Sequence, residues 1–446
     1  MCKYHHLNDE TGDTVSRYRS GVRTKSRRTV TAALVATGAL IIAGCSSGGA
    51  PSKGAVSGQH CGTLTYASWE WVEPVRGAQI WDAVSAYTKA YPCVTLKQQA
   101  VSRADYDKTM STQIGAGSGP DVLIIADPAL PTLVAGGALA PLDGVLPADE
   151  TKALRANNAD YKFNGKQVSL IWETSPYALF WNKKIIADAG VTPPTTFEEL
   201  VQAAKTVKEK TGKTGFVVRS QMNEASAWWT DFTNWPAGFG GGWSKNGKLT
   251  INSAENIQAV AALKEIYTSG AFGVGDDAST YRSKFGAGEV GFIIDNSNIP
   301  FQTVTNNNVV PSSDVGASVL PFPSGSSAYV GNSLGINVHS KNITLAQDFI
   351  RWAYSKQAQL SLANALFPAT VGTDVTAPQS KIDANPWVAA FYKQGENAQG
   401  AIIKGFEAKT QPISTIVLTQ VSKVLTTNTS AKDAMDEAQK EAEALH

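Results

Sequence analysis

Cysteine, methionine and histidine are scarce in this sequence, and so is charge. Four Cys in 446 residues exclude a disulfide-dense small scaffold, and no Cys-x-x-Cys or His-Glu-x-x-His spacing is present to hold a zinc ion. Of five His, only His60, His339 and His446 lie beyond the first 44 residues. Two of these are terminal, so a Ser-His-Asp site would rest on His339 alone. No metal or other cofactor is expected. Asp, Glu, Lys and Arg make up 17% of the chain and nearly cancel, at +1. The usual share is about a quarter, so the surface leans on Ser, Thr, Asn, Gln and Gly. The lack of a field of one sign argues against nucleic acid as a partner. No apolar stretch reaches the roughly 20 residues of a membrane-spanning helix, and no short-period repeat is visible.

What is present begins with a targeting segment. Arg23, Lys25, Arg27 and Arg28 precede Val30–Ala43, a charge-free apolar run of 14 residues with the length of a signal h-region. Arg27-Arg28 is a twin-arginine pair without the rest of that motif, so ordinary secretion is expected. The run ends Ile42-Ala43-Gly44-Cys45, which resembles a bacterial lipobox. Residues 1–44 are therefore read as a signal peptide, with Cys45 as the lipidation site and mature N-terminus. Ser46–Gly58 is Ser/Gly-rich, and 45–59 reads as a flexible tether. Export, and attachment to the outer face of the cell membrane through the lipid, are expected. Without 1–44 the net charge is about −3. Cys61 and Cys93 remain, an even pair in an oxidising compartment. Each opens a strand-like stretch. If those strands lie side by side and parallel, a Cys61–Cys93 disulfide is within reach; the alternative is two buried free thiols.

From residue 60 on, strands and helices alternate. Thr63–Ala67, Val94–Gln98 and Val122–Ala126 read as strands, separated by helices over Gly77–Tyr91 and Ala104–Ala116. Ile80, Val84 and Tyr87 give the first helix one apolar face. Val122–Ala126 is apolar throughout, as suits a strand covered on both faces of a parallel sheet. Tyr177–Trp181, Phe216–Arg219, Val290–Asp295, Val315–Leu320 and Leu334–Val338 are further strands. Thr195 or Thr196 caps a helix over Phe197–Thr211, with Glu198 and Glu199 in its first turn. Ala254–Ser269, Leu345–Leu366 and two stretches between Pro412 and Leu445 read as helical. Trp228–Trp243 is rich in Trp and Gly and loop-like at its end. The length exceeds what one compact core holds, so two α/β domains are expected.

Six pieces of sequence point to a family. They are Gly117-Ser-Gly-Pro-Asp121 before an apolar strand with Ala135-Gly-Gly-Ala-Leu-Ala-Pro-Leu-Asp143; Tyr177-Ala-Leu-Phe-Trp-Asn-Lys183; Ala189-Gly190, Pro193-Pro194 and Thr196-Phe-Glu-Glu199; Phe285-Gly-Ala-Gly-Glu-Val-Gly291; Leu320-Pro321, Gly331 and Gly335-Ile336; and Lys341–Gln357. In this order, over about 61–446, they resemble the bacterial extracellular sugar-binding proteins that include maltose-binding protein. The resemblance implies a two-lobe, type II periplasmic-binding-protein-like α/β fold, each lobe an open, mainly parallel sheet flanked by helices. One lobe is expected over 60–174 plus 333–383 and the other over 175–332 plus 384–446, with crossings near Ser169–Thr174 and Val330–Ser333. It also implies binding, not catalysis. A monomer would capture a small solute, expected to be a sugar, by hinge closure and deliver it to the permease subunits of an ABC importer. Family members often carry a Trp shortly after the position of Asp295 and another near the start of the last helical stretch; here those places hold Asn298 and about Ser414.

Ligands of open α/β sheets bind beyond the carboxyl ends of strands. After Thr63–Ala67 come Trp69, Glu70, Trp71 and Glu73, offering indole faces to the C–H patches of a sugar and carboxylates to its hydroxyls. Trp69 and Glu70 are expected contacts, against the alternative of an indole packed into the core. Asp127 follows Val122–Ala126 and matches a ligand-contacting acid of the family; the alternative is a helix cap. Glu173 and Asn332 fall at the expected crossings. Trp228, Trp229 and Asp231, with Trp235 nearby, form a second aromatic and acidic cluster. Adjacent Trp228 and Trp229 cannot point the same way in a regular element, so one of them belongs to the core. Asp295 and Asn296 end another strand. The rivals are a secreted glycosidase using two carboxylates, the same fold binding a polyamine or other non-sugar solute, and a purely structural surface lipoprotein.

Overall fold

Strands β1 (Gly62–Ser68), β2 (Val94–Ala100) and β3 (Val122–Ala126) form a parallel set with β1 in the middle. They belong to a computed structural model that describes residues 61–73, 75–300 and 310–445. The expected signal segment, Cys45 and the tether lie outside those residues. Cys61 and Cys93 stand just before the paired Gly62 and Val94 and are joined as a disulfide, Cα to Cα 4.8 Å. Helices α1 (Arg76–Ala90) and α2 (Arg103–Gly115) connect the strands. The Ile80, Val84 and Tyr87 face of α1 is buried. Ser102 caps α2 by accepting from the Asp105 N–H. Every residue of β3 is buried, as its unbroken apolar sequence requires.

The chain then enters β4 (Leu170–Asn182), a fully buried strand of 13 residues. Beyond it lie α3 (Phe197–Thr211), capped by Thr196, β5 (Thr214–Val217), α4 (Ala225–Gly238), α5 (Ala278–Gly286), β6 (Val290–Asn296) and β7 (Val315–Ser318). β8 (Ser327–Ile336) brings the chain back. β4 and β8 pair antiparallel from Tyr329↔Pro176 to Leu334↔Leu170, with the register shifting between Asn332 and Ser333. β8 continues onto β3, and the far half of β4 pairs with β6 and β7. β6 and β5 are parallel. The sheet order is β2-β1-β3-β8-β4-β6-β5, so parallel sets flank two antiparallel crossing strands. β4 reaches well beyond the expected Tyr177–Trp181 because Leu170-Ile-Trp172 is itself apolar and Leu170 and Ile171 pair with Leu334 and Ser333 of β8. All these elements belong to one unit, Ser57–His446.

Hydrophobic cores gather on each side of the crossing. Tyr66, Ile124, Trp172, Leu334 and Phe349 share one. Farther along β4 the side chains alternate, as the period of a strand dictates. Tyr177, Leu179 and Trp181 enter a core with Trp228 and Phe232, while Ala178 and Phe180 enter another with Phe285 and Phe391. One helical reading differs from the structure. The stretch 345–366 is two helices, α6 (Ile343–Ala353) and α7 (Lys356–Ala365), because Ser355 accepts from the Ala358 N–H and starts a new helix. The Trp-rich segment is helical through Gly238, and all residues from Trp228 to Gly238 are buried. No described helix is long and apolar enough to cross a membrane.

The disulfide closes a loop with a sequence separation of 32. Replacing both cysteines by serine is expected to cost roughly 3–4 kcal/mol of unfolding free energy. Urea titration measures this, and an unchanged midpoint would mean that the crosslink adds nothing.

Candidate functional site

Four strand ends open on one cavity of about 750 Å³. Trp69 lies just past β1, Asp127 just past β3, Arg219 two residues past β5, and Asn296 ends β6; all four line it. Tyr177, Gly331 and Asn332 reach it from the crossing strands, and Arg103, Asp231 and Arg282 from α2, α4 and α5. A smaller cavity of about 280 Å³ adjoins it through Asp107, Pro128, Ala225 and Ser226 and extends to Trp229 and Ser414. A separate cavity of about 660 Å³ takes the even positions of β4, Thr174 and Pro176, together with Tyr329.

Each wall has its own chemistry. The Trp69 ring packs edge-on against Tyr106 at 4.9 Å and under the Arg103 guanidinium at 4.8 Å. Asp127 is buried and accepts from the Tyr161 hydroxyl at 2.7 Å. Burial outweighs that hydrogen bond and pushes its pKa up to about 7. Gly331 makes this placement possible, since a Cβ there would stand 2.1 Å from Asp127 Oδ2. Opposite, Asp231 accepts from Tyr177 and from Arg219, the latter at 2.8 Å. Burial raises its pKa to about 6 against the pull of Arg219.

Several expected residues stand behind these walls. Glu70 is fully buried and takes Arg76 at 2.9 Å and Trp172 Nε1 at 3.3 Å. Burial pushes its pKa up to about 8, although Arg76 opposes this. Arg76 also holds Glu173, which accepts from Asn332 Nδ2 at 2.9 Å. Asp295 is gripped by both Nε and Nη2 of Arg282. These three carboxylates position the arginines and Asn332 and do not line the cavity. Trp228 is core. An indole buries about 200 Å², worth about 5 kcal/mol by area transfer, and α4 is buried from Trp228 to Gly238. Trp229 is core as well, stacked on Trp243 at 4.4 Å and donating to the Ala401 carbonyl, with an edge on the smaller cavity. Trp71 donates to the Tyr66 carbonyl.

The structure thus brings Trp69, Asp127, Asp231, Asn296 and Asn332 together, and adds Arg103, Arg219, Arg282 and Tyr177. Looking only for indoles and acids passes over the arginines, yet Arg219 follows a strand end as plainly as Asp127 does. Gly331-Asn332-Ser333-Leu334-Gly335 carries the Gly-x-Ser-x-Gly spacing of a nucleophile elbow. Ser333 is fully buried inside β8, between β3 and β4, and not on an exposed strand-to-helix turn.

A cavity at strand ends that mixes charged and amide side chains with apolar surface, walled from both parallel sets and backed by the strands that join them, defines a ligand-binding cleft. The family described as bacterial extracellular solute-binding protein matches residues 71–360, and the chain belongs to it. It is similar to the diacetylchitobiose binding protein DasA of Streptomyces coelicolor, 27% identical over 57% of this chain and 61% of that protein. It is also similar to the arabinooligosaccharide-binding protein of Bacillus subtilis, 25% identical over 51% of each. The match thus spans between half and two thirds of those relatives. The fold is that of the GacH receptor of Streptomyces glaucescens, with a TM-score of 0.75, 22% identity and coverage of 85% of this chain and 97% of that one. The cyclic alpha-maltosyl-1,6-maltose binding protein of Arthrobacter globiformis shares it, with a TM-score of 0.74, 20% identity and coverage of 86% and 98%. These neighbours have the type II periplasmic-binding-protein fold, as expected from sequence.

Two outcomes follow from Asp127 and its neighbour. Gly331→Ala forces Asp127 aside and is expected to cost about 1–3 kcal/mol; an unaltered melting temperature would contradict the close approach. Asp127 has a folded-state pKa above its unfolded value, so its favourable contribution is complete below about pH 4 and is lost as pH rises to about 7. Asp127→Asn does not titrate, so its stability relative to wild type should climb across that window by up to about 1.4 kcal/mol per pH unit and then level off. Unfolding free energies measured from pH 4 to 8.5 check this, and a flat difference would refute it.

Proposed function

We propose that the chain is the extracellular substrate-binding lipoprotein of an ABC importer, capturing a sugar or oligosaccharide in this cleft by hinge closure about β4 and β8. The observation that carries the reading is the cavity at the strand ends, with charged and amide side chains beside an indole and walled from both sides of the crossing, in a member of this family. The relatives are named for diacetylchitobiose and arabinooligosaccharide, and the GacH receptor was solved with acarbose, which supports a sugar over a polyamine. The two lobes are 60–174 plus 333–383 and 175–332 plus 384–446. The β4–β8 crossing supports this division, as does the packing of Trp387, Val388 and Phe391 with Phe180 and Phe285. Phe367 joins that same core, so its segment rests against the second lobe. A signal peptide over 1–44 directs export and is removed, and lipid on Cys45 tethers the protein, as a monomer, beside its permease.

The mechanism is differential affinity. A ligand that touches both walls binds the closed state better and shifts the population toward it, and the permease reads that state. A micromolar dissociation constant needs only about −8 kcal/mol, within reach of several charge-assisted hydrogen bonds. A glycosidase needs two carboxylates free for acid and nucleophile or base roles. Asp231 and Asp295 are each committed to an arginine, which favours binding over hydrolysis.

Calorimetric melting of the full chain with mono- and oligosaccharides tests the reading. A cognate sugar at 100 times its dissociation constant should add about 2.7 kcal/mol of stability, reduce the radius of gyration in small-angle scattering, and be recovered uncleaved. Hydrolysis of the sugar would establish an enzyme instead. A failure of every sugar to raise the melting temperature would refute sugar capture.

A further inference from the structure

The segment 400–409 touches both sides of the crossing. Its back is fastened to the second lobe. Ala401 and Ile403 are buried in the core of Tyr177, Trp228 and Phe232, and Trp229 Nε1 donates to the Ala401 carbonyl at 2.7 Å. Ser244 Oγ donates to the Lys404 carbonyl at 2.7 Å, and the Ile403 N–H donates to Thr410 Oγ1 at 3.0 Å. The Gly405 N–H donates to Glu407 Oε1 at 2.7 Å, where a φ of +80° lets the chain turn.

The front of the segment meets the first lobe. Ile402, between two residues of one core, packs against the other, whose remaining members among the described residues all come from 60–174 and 333–383. Lys404 Nζ stands 3.1 Å from Asp160 Oδ1. The turn Glu407–Lys409 lies beside the short helix Leu130–Ala135. Asp160, Ile402, Lys404 and Glu407 also line a cavity of about 440 Å³ that shares Asp127 with the cleft. At its far end the segment runs into Thr410 and Ser414, which line the smaller cavity already described. The contacts between the lobes therefore lie on the side of the cleft.

A rotation about β4 and β8 that opens the cleft would pull Ile402 off the first core and part Lys404 from Asp160. The hydrogen bonds on the back of the segment would stay intact. We propose that 400–409 is a clasp: anchored on the second lobe, it grips the first through Ile402 and Lys404 when the cleft is shut, and so biases the hinge toward closure before any ligand arrives. The proposal rests on the two-lobe hinge reading and adds a device that sets how strongly a ligand is held. The clasp is a bias and not a lock. An exposed ion pair contributes little, and Ile402 is only partly buried, so its packing is worth a fraction of a full burial. A permease can therefore reopen the cleft.

Small-angle scattering of the unliganded full chain tests the clasp. Lys404→Glu, which sets like charges against each other at Asp160, and Ile402→Ser are each expected to raise the radius of gyration. Adding Asp160→Lys to Lys404→Glu should bring it back. Whichever of maltotriose, cellobiose and N,N′-diacetylchitobiose binds the wild type should bind Ile402→Ser about tenfold more weakly, because a smaller closed fraction raises the apparent dissociation constant. An unchanged radius in both single variants overturns the clasp. If one of these sugars then still compacts the wild type, hinge closure stands; if none does, hinge closure falls with the clasp. Lys404 is 79% exposed, so Lys404→Glu disturbs no core. Its radius and the charge-swap rescue decide alone if Ile402→Ser does not fold.

Discussion

The antiparallel pairing of β4 with β8 is the constraint on which the rest of the molecule depends. These strands are the shared members of the sheet, through which the parallel set β1–β3 and the pair β5–β6 become one structure. The register shift at Asn332 and Ser333 falls where the chain passes from one side to the other, and irregularities of this kind bend and twist a strand locally. Arg76 fastens the crossing from outside. It joins Glu70, beyond β1, to Glu173 of β4, and Glu173 in turn holds Asn332 of β8. The placement of Asn332 in the cleft is therefore set by a chain of contacts that starts on α1.

Electrostatics explains how so many charges can stand beside one cavity. A buried ion is tolerable only when it is paired and its remaining hydrogen-bonding atoms are satisfied. Asp231 and Asp295 meet that condition through Arg219, Arg282, Tyr177 and Tyr281. Asp127 meets it differently. With no cation in contact among the described residues, it answers burial by raising its pKa toward neutrality. The two walls thus differ in character, one rigid and forked, the other a carboxyl group close to its titration midpoint.

Much of the fold was legible because its signals are local. The apolar runs Val122–Ala126 and Tyr177–Trp181 and the Thr196 cap each depend on a few neighbouring residues, and the Cys61–Cys93 disulfide needed only the assumption that two strands are adjacent and parallel. The strand-end rule found Trp69, Asp127 and Asn296 for the same reason. What remained hidden was partnership over long distances. Glu173 looks available in sequence, but the guanidinium that occupies it is 97 residues away. Glu70 and Asp295 are taken by arginines much nearer in sequence, Arg76 and Arg282, whose role no short motif announces. Trp228, Phe232 and Trp235 do have helical spacing, a signal that α4 is packed on this face and that its indoles serve the interior.

β4 also acts as a ruler. Tyr177 looks into the cleft while Thr174 and Pro176 look into the cavity on the other side. Because a strand has a period of two, inserting or deleting a single residue between Glu173 and Tyr177 would exchange those directions and uncouple Asp231 from its tyrosine. Divergence in what the protein captures is therefore free to act on loops and on the identity of wall residues, while the spacing from Glu173 to Tyr177 can change only in steps of two.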